Sequence, residues 1–142
     1  NYVIKNSSIS SFFFVMNGDS MSNINFNKMY ESFIAQNLTA MIGISKVEDS
    51  ERYGTVLSKD GKVMSFEEKG VTGLGWINNG HYIFKKEAFV GFSEAFSLEK
   101  NLFPKLVGNQ ELASFKVEND NFIDMGIPKD YEKLCNFYKK LI

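Results

Sequence analysis

Two aspartates follow apolar segments at widely separated places in the chain. Asp19 comes after the apolar run Phe12–Met16 and the turn-forming pair Asn17-Gly18. The run predicts a buried central strand, and open α/β sheets bind ligands at the carboxyl ends of their strands, so Asp19 is a candidate metal ligand. Asn-Gly is also a strong hairpin signal and Asp an ordinary turn residue, so a plain turn stays open as the alternative. Asp124 repeats the pattern of apolar strand, Asp and Gly.

Charged side chains follow one further predicted strand, and amide side chains lie within another. Glu67-Glu68-Lys69 follow a predicted hairpin, where charges are also typical of a solvated strand end. Asn78 and Asn79 interrupt an apolar strand, and because buried amides need partners, they either form another turn or face a polar cavity. His81 has no second His or Cys to complete a zinc site, so we interpret it as structural.

The first half of the chain predicts alternating strands and helices. Apolar residues at helical spacing predict a helix over Asn25–Asn37, with Asn at both ends as caps. The β-rich segment Thr39–Val47 follows, which makes a strand, helix, strand order typical of a parallel crossover. Asp60-Gly61 predicts a two-residue hairpin turn, and Trp76–Phe84 predicts a further strand.

The second half predicts short helices and a final amphipathic one. Ser97 is a plausible helix start, and Pro104 suits the first turn of a short helix that ends at Gly108. Residues 113–124 predict two strands around a polar turn. Pro128 opens the last helix, whose predicted apolar face consists of Tyr131, Leu134, Cys135, Tyr138, Leu141 and Ile142. We therefore interpret Cys135 as a core thiol.

Composition limits the class of protein. The 142 residues are 44% hydrophobic and 15% aromatic, which suits one globular α/β domain. A net charge of −1 leaves no basic footprint for nucleic acid, and no apolar run approaches the length of a membrane span. The single cysteine and the lack of a signal-peptide pattern favour the cytoplasm. Arg52 is the only arginine, so a bidentate guanidinium clamp on phosphate has one candidate.

Six motifs occur in a recognisable order along the chain. They are Phe14–Asp19, Arg52–Val56, Phe66–Gly70, Trp76–Phe84, Ser97–Lys100 and Phe122–Tyr131. This ordered set resembles the sugar-1-phosphate nucleotidylyltransferases. The chain looks most like the D-glycero-D-manno-heptose 1-phosphate guanylyltransferases, with the mannose-1-phosphate guanylyltransferases close behind. The resemblance implies a Rossmann-like, mixed but mainly parallel sheet with flanking helices.

The resemblance implies a metal site and a reaction. Asp19 and Asp124 match the aspartates that hold the catalytic Mg²⁺, and Mg²⁺ commonly takes one or two carboxylates together with phosphate oxygens. The implied substrates are a nucleoside triphosphate, expected to be GTP, and a sugar 1-phosphate of the heptose or mannose type. The sugar phosphate oxygen attacks the α-phosphorus in line and releases pyrophosphate. Positioning and charge neutralisation then matter more than a protein nucleophile.

The resemblance also implies a sugar subsite. Gly54 matches the glycine whose backbone approaches the sugar, where a side chain would intrude. Glu68, with Glu67 as its neighbour, matches the acid that accepts hydrogen bonds from sugar hydroxyls. Lys69 matches the catalytic lysine that neutralises the sugar phosphate, and Asn78 matches an amide that binds another hydroxyl.

One departure from the family concerns the triphosphate. The family begins with a strand and a Gly-rich loop that cradles the phosphates, and this sequence has no glycine before Gly18. We therefore expect residues 1–142 to be the carboxyl-terminal portion of one nucleotidyltransferase domain, inactive alone. A noncatalytic sugar-nucleotide-binding or regulatory module is the alternative, and a homo-oligomer stays open. A metal-dependent glycosyltransferase is disfavoured because Ser20 and Met21, not a second acid, follow Asp19.

Overall fold

A computed structural model describes residues 8, 10–67, 72–118 and 120–139. Within these ranges, six strands form one sheet in the order β1-β6-β3-β7-β5-β4, and β2 pairs with β8 in a separate two-stranded sheet. The strands are β1 Phe12–Met16, β2 Ser20–Met21, β3 Ala40–Val47, β4 Val56–Lys59, β5 Lys62–Phe66, β6 Gly75–Lys85, β7 Leu112–Val117 and β8 Ile123–Asp124. The α-helices are α1 Phe26–Gln36, α2 Phe103–Gly108 and α3 Pro128–Lys139.

The large sheet is mixed, as predicted, but it is not mainly parallel. Among its described neighbours only β3 and β7 pair in parallel, whereas β1–β6, β3–β6, β4–β5 and β5–β7 are antiparallel. The physical reason is the position of β6. It runs in the opposite direction between β1 and β3, so β1 and β3 share a direction without pairing with each other.

Apolar side chains cover both faces of this sheet. Alternation along β3 and β6 sends Ile42 and Phe84 to one face, where Phe103 of α2 packs. Met41 and Ile83 point to the other face, against α1. The result is a three-layer α/β body. Among the described helices, none has the length and apolar character that crossing a bilayer requires.

Local signals set most of the element boundaries. The Asn25 side chain accepts a hydrogen bond from the Lys28 N–H at 3.0 Å, and Asn37 ends α1 in the left-handed conformation with φ 48°. Asp60 and Gly61 both have positive φ, as the predicted hairpin turn requires. Ser97 caps a single wide turn, Leu98–Leu102, that leads into α2.

Two predictions about burial are wrong. Strand β1 lies at an edge of the described sheet, not at its centre, and Phe14 and Met16 are 39% and 58% exposed. In α3, Tyr131 and Tyr138 of the predicted apolar face are more than half exposed, and Cys135 is only partly buried. The buried residue of this helix is Asp130, whose carboxylate binds Arg52 from another segment and Lys133 from the same helix.

Asn78 and Asn79 do not form a turn. They lie inside β6, opposite an irregularity in β3 between Ile42 and Ile44. Gly43 at this irregularity leaves the space that the fully buried Asn79 side chain fills, since a Cβ at position 43 would lie 2.5 Å from Asn79 Oδ1.

We expect Gly43→Ala to lower the free energy of unfolding by about 2–3 kcal/mol, because the methyl group displaces a buried, hydrogen-bonded amide. Gly108→Ala is the matched control, since a Cβ there meets nothing within 4 Å. Urea denaturation should show a lower midpoint for the first variant and an unchanged or slightly higher midpoint for the second. Equal midpoints would contradict the assignment of Gly43.

Candidate active site

The structure brings the main chains of Asp19 and Asp124 together. Ser20 pairs with Asp124 across β2 and β8, and the Met125 N–H donates a 2.8 Å hydrogen bond to the Asp19 carbonyl oxygen. Asp19 is exposed, and the Asp124 side chain is 26% exposed. Two aspartates from distant parts of the sequence are therefore neighbours beside open solvent.

The Asp124 carboxylate is oriented from two sides. Its Oδ1 accepts a hydrogen bond from the Gly126 N–H at 2.9 Å, and its Oδ2 lies 3.7 Å from Arg52 Nη2. Carboxylate oxygens have two lone pairs each, so both keep capacity for a further ligand.

Two aspartates match the coordination preferences of Mg²⁺. This ion takes one or two carboxylates and completes its shell with water and phosphate oxygens. Within the described ranges, no group of three or more acidic, histidine or cysteine side chains is placed to hold a metal. A site made by Asp19 and Asp124 alone would therefore depend on substrate oxygens.

Arg52, the candidate phosphate clamp, binds carboxylates in this structure. Its Nη1 donates to Asp130 Oδ2 at 2.5 Å, and Lys133 Nζ lies 2.7 Å from Asp130 Oδ1. The Asp130 side chain is only 7% exposed, and the hydrogen bond from Arg52, followed by that from Lys133, lowers its pKa. The same hydrogen bond raises the pKa of Arg52.

The Asn78 amide is held in one orientation. Its Nδ2 donates to the Tyr82 hydroxyl at 3.0 Å, and its Oδ1 accepts from the Gly80 N–H at 3.1 Å. The Tyr82 ring is part of the core, and burial raises the pKa of its hydroxyl, an effect that the nearby Asn78 and Asn17 side chains partly offset. Tyr82 thus links the turn before Asp19 to the predicted sugar-binding amide.

Part of the predicted sugar subsite is described. Thr55 Oγ1 donates to Glu67 Oε2 at 2.8 Å, and a Cβ at position 54 would lie 2.8 Å from the Glu67 carbonyl oxygen. Gly54 therefore has a structural role in the close approach of two backbones, whatever its role toward a sugar. Glu68 and Lys69 lie outside the described residues, so their predicted roles stay predictions.

Five side chains form a polar cluster beside the site, comprising Ser22, Ser45, Asn79, His81 and Asp120. Ser45, Asn79 and His81 are buried, whereas Ser22 and Asp120 are half-buried. Ser22 Oγ donates to Asp120 Oδ2 at 2.6 Å, and Ser45 Oγ donates to the same oxygen. Asn79 Nδ2 donates to Ser45 Oγ at 2.9 Å. His81 Nδ1 lies 3.0 Å from the Asn79 carbonyl oxygen, so this nitrogen carries the proton, and burial lowers the pKa of His81.

The polar cluster and Tyr82 were not among the predicted site residues. The sequence offered one signal, namely that amides in an apolar strand need partners, and this prediction of a polar environment is confirmed for Asn79. Nothing in the spacing indicated that Asp120 would accept hydrogen bonds from Ser22 and Ser45, because these contacts join distant segments. The same holds for the pairing of Asp130 with Arg52.

Comparison with known proteins identifies similar chains. The sequence model of the Nucleotidyl transferase family matches residues 2–140. The chain is 36% identical over 121 residues to a D-glycero-alpha-D-manno-heptose 1-phosphate guanylyltransferase of Aneurinibacillus thermoaerophilus, a match that covers 84% of this chain and 52% of the relative. It is 30% identical over 121 residues to a putative mannose-1-phosphate guanyltransferase of Sulfolobus acidocaldarius, covering 84% of this chain and 33% of that one.

A solved structure also superposes on this fold. The crystal structure of HddC from Yersinia pseudotuberculosis in complex with GMP-PN gives a TM-score of 0.82 at 33% identity, covering 96% of this chain and 59% of that one. The chain thus spans about half, or less, of the length of the curated relatives described above.

The lowered pKa of His81 predicts that the stability of the fold depends on pH. Its pKa lies below the ordinary value of about 6.5 in the folded state, so the unfolded state binds the proton first as the pH falls. We expect the free energy of unfolding to be constant above about pH 7 and to fall below about pH 6.5, by at most about 1.4 kcal/mol at pH 5.5.

The measurement is urea denaturation at pH 7.5 and 5.5. His81 is the only histidine of the chain, so His81→Gln should remove most of the difference in the free energy of unfolding between pH 7.5 and pH 5.5. A wild-type protein that is equally stable at both values would contradict the prediction.

Proposed function

Because the chain belongs to the nucleotidyl transferase family, we propose that it contributes the sugar-phosphate and metal side of a guanylyltransferase. The proposed substrates are GTP and a manno-configured sugar 1-phosphate, either D-glycero-D-manno-heptose 1-phosphate or mannose 1-phosphate. The activities after which the two similar proteins are named support the sugar class. The complex of HddC with GMP-PN supports guanine as the base.

The observation that carries the proposal is the pairing of β2 with β8. It makes Asp19 and Asp124 neighbours, as a shared metal site requires. We propose that both carboxylates hold Mg²⁺, which would neutralise phosphate charge during transfer. The chain's own contribution is to orient these carboxylates and to bind the sugar next to them.

The proposed reaction forms one bond and breaks one. A phosphate oxygen of the sugar 1-phosphate bonds to the α-phosphorus of GTP, and the bond from that phosphorus to the bridging oxygen of pyrophosphate breaks. Asn78 and Glu67 would hydrogen-bond sugar hydroxyls, and Lys69 and Glu68 would have the roles that the family resemblance implies for them. Positioning of this kind provides a large part of the rate enhancement in phosphoryl transfer.

We expect Asp19→Asn and Asp124→Asn each to lower Mg²⁺-dependent release of pyrophosphate by at least about a hundredfold in the full-length protein, because each removes a charged metal ligand. The assay uses GTP with each of the two sugar 1-phosphates. Thermal unfolding should change little for Asp19→Asn, since the Asp19 side chain is exposed.

Asp60→Asn provides the matched control. It makes the same chemical change in a hairpin turn that Asn tolerates, and it should leave turnover unchanged. Near-normal turnover in both site variants would refute the proposed metal site.

A further inference from the structure

Arg52 contacts two acidic residues that have different places in the site. Nη1 donates to the buried Asp130 at 2.5 Å, and Nη2 lies 3.7 Å from Asp124 Oδ2. We infer that Arg52 is a positioning residue, which fixes the orientation of the Asp124 carboxylate toward the metal instead of binding a substrate phosphate. This inference rests on the proposed function.

Asp130 anchors the guanidinium. Its side chain is 7% exposed, and both of its oxygens bind cations, Arg52 on one side and Lys133 on the other. The guanidinium is planar and rigid, so a strong hydrogen bond at Nη1 also fixes the direction of Nη2. Lys133 shares the anchor, but among the described ion pairs it does not reach Asp124.

The distance between Arg52 Nη2 and Asp124 Oδ2 allows an electrostatic contact that orients the carboxylate without a hydrogen bond. At 3.7 Å, Nη2 is beyond the usual hydrogen-bond range of about 2.7–3.2 Å, so it attracts Oδ2 without occupying a lone pair. Since the Gly126 N–H holds Oδ1, the plane of the carboxylate is set from both sides. Groups that orient metal ligands in this way commonly affect metal affinity by about 10- to 100-fold.

Two ring contacts hold the segment that contains Arg52 and Tyr53 close to β8. The Arg52 guanidinium lies 5.4 Å from the centre of the Tyr53 ring, and the Tyr53 ring packs edge-on against Phe122 at 5.6 Å. Phe122 immediately precedes β8, and Gly54 immediately follows Tyr53. The segment from Arg52 to Gly54, which leads to the proposed sugar subsite, therefore packs against the residue that precedes β8, the strand that contains Asp124.

The contact with Asp130 also stabilises the fold, because a carboxylate that is 7% exposed needs a partner cation. The contact with Asp124 is weaker, since the Arg52 side chain is 43% exposed and exposed ion pairs contribute about 0–1 kcal/mol to folding. The main consequence of this second contact is therefore the orientation of Asp124, which belongs to the metal site.

Arg52→Lys tests the inference, because it keeps the charge and removes the rigid fork. Lys133→Met is the matched control, since it removes the other cation of Asp130 and leaves Arg52 in place. In the full-length protein, we expect Arg52→Lys to raise the Mg²⁺ concentration for half-maximal turnover about tenfold. The KM for GTP and for the sugar 1-phosphate, measured at saturating Mg²⁺, should stay within about twofold of wild type.

A measurement without turnover accompanies the assay. Mn²⁺ binding in the presence of a nonhydrolysable GTP analogue, followed by electron paramagnetic resonance, should weaken by a similar factor in Arg52→Lys. Asp130→Asn, which loosens the anchor, should shift both metal measurements in the same direction. Lys133→Met should shift neither by more than about twofold.

The outcomes separate the inference from the proposed function. If wild-type protein shows no Mg²⁺-dependent turnover of GTP, the proposed function fails and the inference fails with it. If wild type is active but Arg52→Lys and Lys133→Met have the same metal dependence, the inference alone is overturned. A large rise in either KM at saturating Mg²⁺ would also overturn it, because Arg52 would then be a phosphate-binding residue.

Discussion

The short pairing of β2 with β8 is the constraint on which the candidate site depends. Each strand has two residues, and so short a pair is not stable by itself in water. The contacts that hold the pair must come from outside it. They are found at the two ends of the segment that contains β8, and both are made by carboxylates.

At the first end, Asp120 ties the segment to the sheet. It accepts hydrogen bonds from Ser22, just after β2, and from Ser45 of β3, while Asn79 of β6 donates to Ser45. At the second end, Asp130 holds Arg52, whose guanidinium faces Asp124. Hydrogen bonds to charged groups contribute more than neutral ones, so two well-placed carboxylates can fix a short segment.

The sequence predicts the local elements well and the contacts between them poorly. The caps of α1 and the Asp60-Gly61 turn follow from nearby residues, and they occur where the sequence places them. The position of β6 between β1 and β3 depends on contacts across the whole sheet, so the parallel character of the sheet was overestimated. The exposure of Phe14 and the burial of Asp130 were not predicted for the same reason. The pattern of apolar and polar residues does not reveal which other segment packs against a given side chain.

The site residues show the same division. Asp19 and Asp124 were predicted from strand-end chemistry and from a family resemblance, and the structure makes them neighbours. Arg52 was predicted as a possible phosphate clamp because of its residue type alone. Its pairing with Asp130 depends on how α3 packs, which no local pattern reveals.

Preorganisation of Asn78 shows how the core can determine the chemistry of a site. The Tyr82 ring packs against Phe84 and Phe103, at ring-centre distances of 5.7 and 5.6 Å, so its hydroxyl has a fixed position. Asn78 donates one N–H to that hydroxyl and accepts the Gly80 N–H, which leaves the second N–H and one lone pair of the amide for a ligand. An amide fixed in this way loses little conformational entropy when a hydroxyl binds, so in the proposed function the aromatic core of the sheet contributes to sugar recognition without contacting the sugar.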